Sequence, residues 1–157
     1  MKKTKDNPGV FVPPPLFYAA FFLFSILLQG YFPIRSSFFH DSLAYVLGVI
    51  IIVAGLIFTV PAVRQFIKTH NTVVTVKSAT SLQTSGIYAV TRNPMYTGLI
   101  LEYLGLALIF GNWWTIILLP VLIISVSYLV ILPEERYLTR AFGDSYTDYK
   151  NSVRRWI

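Results

Sequence analysis

Residues 42–63 read SLAYVLGVIIIVAGLIFTVPAV, a stretch without a single Asp, Glu, Lys or Arg. A helix needs roughly 20 mostly apolar residues to cross the hydrocarbon core of a bilayer, so this segment is long enough to cross once. Two more charge-free stretches, 10–34 and 110–133, are of similar length. Segments this apolar have no water to satisfy their backbone groups, and an uninterrupted helix satisfies them internally. The whole 157-residue chain is 55% hydrophobic and only 13% charged, where a soluble domain has roughly a quarter charged. The fold class that follows is all-α: one polytopic membrane helical bundle, with about four transmembrane helices and cytosolic amphipathic helices in its last part.

Outward from residues 42–63, the chain divides by charge and proline. Residues 1–15 form a basic arm whose run Pro13, Pro14, Pro15 excludes a helix there, and this run argues against a cleavable signal peptide. Span 1 occupies about 16–32, with aromatics at both ends in the manner of an interfacial belt. Residues 33–41 are a connector, and residues 42–63 are span 2, where Gly48 and Gly55 permit close helix contact. Residues 64–93 are mostly polar and rich in Ser and Thr, and a long loop in so small a protein points to function. Span 3 starts at Pro94, where proline suits the first helical turn, and runs to about 110. Gly111 and Asn112 make a tight turn into span 4, which reaches about 132 with a kink expected at Pro120. In residues 133–157 the positions Tyr137, Leu138, Ala141, Phe142, Tyr146 and Tyr149 recur at helical spacing. One or two short helices lying on the membrane surface are expected there.

The basic residues set the orientation. The arm has Lys2, Lys3 and Lys5; residues 64–93 have Arg64, Lys68, Lys77 and Arg92; the last segment has Arg136, Arg140, Lys150, Arg154 and Arg155. Only Arg35 falls on the other side. A multi-pass protein of the cytoplasmic (inner) membrane with both termini cytosolic fits this count. The net charge of +6 then meets anionic headgroups, and nucleic acid is not needed as a partner. With no Cys in the chain, disulfides, zinc–thiolate sites and thiol nucleophiles are excluded. His40 and His70 lack metal-ligand companions at useful spacing, so no metal is expected. His40 reads as a surface residue, and His70, in the long loop, is only a minor candidate for contact with a ligand.

The remaining polar groups converge on the cytosolic face. Because spans 3 and 4 form a hairpin, the start of one and the end of the other are neighbours, which brings Glu134 and Glu135 near Asn93 and Tyr96. A carboxylate beside a helix N-terminus is favoured by the helix dipole and is a good acceptor for a ribose hydroxyl or an amino group. Boundary charges and belt tyrosines explain the same residues equally well, so spacing alone reaches only a small membrane protein with a polar cytosolic face.

The run Gly86-Ile87-Tyr88-Ala89-Val90-Thr91-Arg92-Asn93-Pro94-Met95-Tyr96-Thr97-Gly98 resembles the G-x-Y-x-x-x-R-[HN]-P-x-Y-x-G signature of the isoprenylcysteine carboxyl methyltransferase family. That superfamily also contains phospholipid methyltransferases. A second block is similar too: Glu134-Glu135, Leu138, Phe142-Gly143, Tyr146 and Tyr149, closing on Val153-Arg154-Arg155-Trp156-Ile157. The resemblance covers about residues 64–157. It implies S-adenosylmethionine (SAM) as cofactor, held by Thr80, Ser81, Leu82, Gln83, Tyr88, Asn93, Pro94, Met95, Tyr96 and Glu134, with Glu135 less firmly implied. Asn93 and Tyr96 are the candidates for aligning the reacting groups. Three departures stand out: Asn93 replaces the eukaryotic His, Thr80 replaces another His, and Val130 stands where the eukaryotic enzymes place a substrate-contacting Arg. The last argues against a prenylcysteine carboxylate as acceptor.

Transfer from a sulfonium requires alignment and exclusion of water more than a base. The expected activity is O- or N-methylation of a lipophilic small molecule or lipid headgroup entering from the bilayer, and the residues do not separate the two. Glu102, inside span 3, is a functional candidate by default. It faces a substrate path, pairs with Arg92, or is neutral and hydrogen-bonded in the bundle, so Glu102 and Arg92 are the substrate-side candidates. Two other readings use the same residues: a four-span transporter with Glu102 as coupling carboxylate, and a non-catalytic membrane scaffold.

Overall fold

The computed structural model describes residue 9 and residues 13–34, 41–69 and 81–157. Among these the secondary structure is helical throughout: α1 (Pro14–Tyr31), α2 (Ser42–Lys68), a 3-10 turn (Gly86–Ala89), α3 (Pro94–Phe110), α4 (Trp113–Val126), a π-helical turn (Ser127–Ile131), α5 (Leu132–Phe142) and α6 (Asp144–Ser152). Thr80, His40, His70 and most of the basic arm lie outside the described residues.

Local chemistry sets several of the boundaries. Asp41 caps α2 by accepting from the Leu43 amide at 3.1 Å. Gly111 ends α3 at φ +63°, a left-handed position that costs glycine nothing. Asn112 then caps α4 by accepting from the Trp114 amide at 3.0 Å. The expected hairpin therefore forms from two consecutive residues with different tasks.

The helices run up, down, up and down. Tyr18 near the start of α1 bonds the Tyr96 carbonyl at the start of α3, whereas Ser25 further along α1 meets Thr115 at the start of α4. α3 lies in the middle, packed along α2 on one side and against α1 and α4 on the other. The α2–α3 contact is the closest in the bundle. A Cβ placed on Gly48 would lie 2.8 Å from the Gly105 carbonyl oxygen, and one on Gly55 would lie 2.8 Å from the Gly98 carbonyl oxygen. Both glycine pairs recur at a spacing of seven, the period that keeps one seam facing a partner helix. Lipid gives no hydrophobic drive for helix association, so this backbone-to-backbone approach is what such a seam relies on.

Among the described residues three helices are long and apolar enough to cross a membrane: α1, α2 and the continuous helix Trp113–Phe142. α3, also apolar, has 17 residues, close to the lower limit of about 17 for a span. Side chains on the outer faces, among them Leu23, Phe24, Ile50 and Ile57, are exposed, as lipid-facing positions are.

Four sequence expectations are corrected. Pro14 and Pro15 do not lie in an extended arm; they open α1, because the first-turn amides have no intrahelical partner to lose. α2 does not stop at residue 63 but continues through Arg64 to Lys68, whose ammonium suits the negative end of the helix dipole. The α4 helix runs through Pro120 and passes into the π turn at Ser127–Ile131. Pro133 does not start a separate tail, since α5 follows the π turn without a break. A π turn already shifts the backbone bonding register, and there the missing amide of proline costs little. Finally, α6 does not turn its aromatic face to a membrane surface: Tyr146 and Tyr149 are buried with Ala62 and Tyr88.

Candidate functional site

α3 begins between two aromatic clusters. Met95 packs on the one containing Ala62, Tyr88, Tyr146 and Tyr149. Its neighbour Tyr96 belongs to the other, with Tyr18, Tyr103, Leu122, Val126, Val130 and Ile131. Successive helical residues point about 100° apart, so the first turn of α3 joins both. Pro94 and Thr91 there are fully buried.

The hairpin brings Tyr96 and Glu134 together as expected: the Tyr96 hydroxyl donates to Glu134 Oε2 at 2.9 Å. Tyr96 is 8% exposed, so the phenol end of this bond is held inside the bundle. Beside it stands Tyr88, stacked on Phe66 of α2 with ring centroids 5.6 Å apart. Its carbonyl accepts from the Tyr149 hydroxyl at 2.6 Å. The Tyr88 hydroxyl itself is buried and has no partner among the described residues. Burial, and then the Glu134 carboxylate, push this phenol well above its ordinary pKa. It therefore stays a neutral donor at any physiological pH.

Glu135 is also buried but is fully matched. Arg155 grips it in a fork, Nε to Oε1 at 2.9 Å and NH2 to Oε2 at 2.8 Å. Arg92 adds a second cation at 3.3 Å. Arg92 Nε and NH1 make no directed hydrogen bond, so that attraction acts through charge alone. Arg92 also reaches the Tyr146 phenol, which burial and the Glu135 charge raise to about 12 against the opposing pull of Arg92. The expected alternative in which Arg92 pairs with Glu102 is thus not realised. Glu102 accepts instead from Thr59 at 2.9 Å, in the α2–α3 seam, where a Cβ on Gly55 would meet its Cγ. By the helical period Glu102 points about 100–120° around α3 from Tyr96 and Tyr103.

The other nominated residues fall around the same end. Gln83 accepts from Gln65 at 3.0 Å and donates to Ser81 at 2.8 Å, which ties this segment to the last turns of α2. Leu82 packs against the Tyr88 cluster. The Asn93 side chain donates to the Arg155 carbonyl at 3.0 Å, so its amide nitrogen holds residues 153–157 rather than facing an open site. Val130 is fully buried in the Tyr96 cluster, leaving an apolar wall there. No group of acidic and His side chains able to hold a metal occurs among the described residues.

Sequence reasoning missed Tyr18, Gln65, Phe66, Arg155 and Trp156. Arg155 and Trp156 carried a usable signal, since they close the second motif block and Arg155 is the cation that a buried Glu135 needs. Gln65, Phe66 and Tyr18 lie in helices whose pattern marks only lipid-facing length.

A SAM-sized ligand presents hydroxyls, an ammonium and a sulfonium. The Glu134 carboxyl, held by a phenol but by no cation among the described residues, and the unspent Tyr88 hydroxyl fit such a group.

The sequence profile of the phospholipid methyltransferase family matches residues 43–145. A stretch of 72 residues, 46% of this chain, is 38% identical to the protein-S-isoprenylcysteine O-methyltransferase of Schizosaccharomyces pombe, of which it covers 30%. A further 63-residue stretch, 40% of this chain, is 38% identical to an uncharacterized protein of Haemophilus influenzae and covers all of it. The chain thus spans under a third of the S. pombe enzyme. No solved structure matches significantly. With its signature run, its paired glutamates and a profile match across most of its length, this multi-pass helical membrane protein belongs to the phospholipid methyltransferase family.

Proposed function

We propose that the protein is an integral-membrane methyltransferase that uses SAM and methylates a lipophilic small molecule or a lipid headgroup. The observation that carries this reading is the buried Tyr96–Glu134 bond next to the unspent Tyr88 hydroxyl. Both lie at the junction of the membrane hairpin with the polar segments. The cofactor, when bound, supplies an activated methyl group on a sulfonium. Glu134, fixed by Tyr96, offers its free oxygen lone pairs to a hydroxyl or ammonium and its charge to a cation. Tyr88 offers a neutral donor. Tyr18, Val130, Ile131 and Trp156 close the membrane side of Tyr96 with apolar surface and keep water from the reacting atoms, where an aligned donor and acceptor need little else.

Twelve of the thirteen Lys and Arg residues fall in the sequence segments 1–15, 64–93 and 133–157, which supports a cytosolic position for both termini and for cofactor entry, in the cytoplasmic membrane. The acceptor then arrives from the bilayer. The test uses full-length protein in lipid vesicles with SAM carrying a tritium-labelled methyl group. Phosphatidylethanolamine and long-chain amines, phenols and carboxylic acids serve as acceptors. Organic-extractable label, dependent on Glu134, is expected. Base treatment then sorts the product, since methyl esters release methanol and methylamines do not. A folded protein that neither labels an acceptor nor binds SAM overturns the reading.

A further inference from the structure

Residues 153–157 fold back over the start of α3. The Arg92 amide donates to the Arg154 carbonyl at 2.9 Å. The Thr91 hydroxyl and the Asn93 amide both donate to the Arg155 carbonyl at 3.0 Å. Trp156 packs against the cluster that contains Tyr96 and Tyr18. The segment is therefore seated on both sides of the Tyr96–Glu134 pair, and the Arg155 side chain is what it inserts.

Arg155 meets the neighbour of Glu134 rather than Glu134 itself. Two adjacent carboxylates beside one site would repel each other and compete for the same cation. A buried carboxylate is tolerated only when paired and hydrogen-bonded, and Glu135, at 6% exposure, has both a bidentate fork from Arg155 and the charge of Arg92. Donating to Glu135 in turn raises the Arg155 pKa, so the cation persists at any accessible pH. Glu134 has no such cation among the described residues, so its carboxyl is left for a ligand to complete.

We propose that Arg155 is a positioning residue for the cofactor. It holds Glu135 in a closed ion pair, so that Glu134 alone presents a carboxylate to the bound ligand. The proposal rests on the SAM-binding reading above and assigns the two glutamates different tasks: Glu134 faces the ligand, and Glu135 faces residues 153–157.

The test is a double-mutant cycle read by titration of full-length protein in detergent with S-adenosylhomocysteine. Thermal unfolding of each variant confirms that it is folded. Arg155→Ala leaves Glu135 with Arg92 as its sole cation and weakens binding tenfold or more. Glu135→Gln leaves two unneutralised arginines and also weakens binding. The combination Arg155→Ala/Glu135→Gln restores the net charge of the wild-type group and recovers affinity to within about threefold of wild type. Arg155→Lys, which keeps the charge without the fork, stays close to wild type. A double variant as weak as Arg155→Ala overturns the proposal, because a segment that acts only as a tether gains nothing from losing Glu135. Unchanged binding by Arg155→Ala overturns it as well. Absence of binding by folded wild type is a different failure: it removes the SAM reading, and this inference falls with it.

Discussion

The two ends of the helical bundle handle buried polar groups in opposite ways. At the end away from the candidate site, Ser25 and Thr115 share a hydrogen bond of 2.7 Å, and Asn112 donates to Ser25 at 3.2 Å. All three residues are buried and uncharged, and each side chain is matched by another. At the Glu134 end Glu135, Arg92 and Arg155 bring charge, the matching is uneven, and the buried Tyr88 hydroxyl has no partner among the described residues. A closed neutral network can only hold helices together. A network with charge and donors left over can also receive something, and that difference locates the site.

Breaking each end separately tests the contrast. The largest effect is expected from Glu134→Ala: losing a hydrogen bond to a charged group costs about 1.5–3 kcal/mol, or roughly 10- to 150-fold in affinity for S-adenosylhomocysteine. Thermal unfolding should show the variant still folded. Gly98→Leu attacks the seam that both ends depend on. Any side chain there meets Thr59 and the Gly55 carbonyl, and overpacking of this kind costs about 1–3 kcal/mol. A lower unfolding temperature with loss of monodisperse protein on size-exclusion chromatography is the expected outcome.

Asn112→Ala breaks the closed network. It removes the Asn112 cap of α4 and the bond to Ser25, for about 1–2 kcal/mol of stability, and should leave ligand affinity unchanged because it lies at the other end. Glu102→Gln should have the smallest effect. The glutamine can still accept from Thr59, so stability should move by about 0.5 kcal/mol or less and methyl transfer should persist. Methyl transfer lost with folding intact would mark Glu102 as part of the chemistry. Proton-coupled flux abolished by the same substitution would favour the transporter reading.

Much of the fold was legible because charge is expensive in lipid. Gaps without Asp, Glu, Lys or Arg marked the apolar helices, and Pro94, Gly111 and Asn112 marked ends that the structure keeps. The Tyr96–Glu134 contact was legible for a related reason, since a two-residue turn between α3 and α4 leaves the far ends of these helices no choice but to meet. The π turn at Ser127–Ile131 was not legible, because an extra residue in a helical turn changes hydrogen-bond register without changing hydrophobic pattern. Nor was the destination of α6. An amphipathic pattern reports that one face will be covered, and lipid and protein cover it equally well in sequence terms. The burial of Tyr146 and Tyr149 is decided by Ala62, Phe66 and Tyr88, which come from segments far away in the chain. The partner of Arg155 depended on the same long-range folding, with Glu135 twenty residues earlier.

The most direct measurement is a calorimetric titration of S-adenosylhomocysteine into wild-type protein and the Glu134→Ala variant, both shown to be folded. Micromolar binding by wild type, roughly −8 kcal/mol, that the variant loses would establish Glu134 as the cofactor carboxylate. No binding by wild type, or undiminished binding by Glu134→Ala, would contradict the site described here.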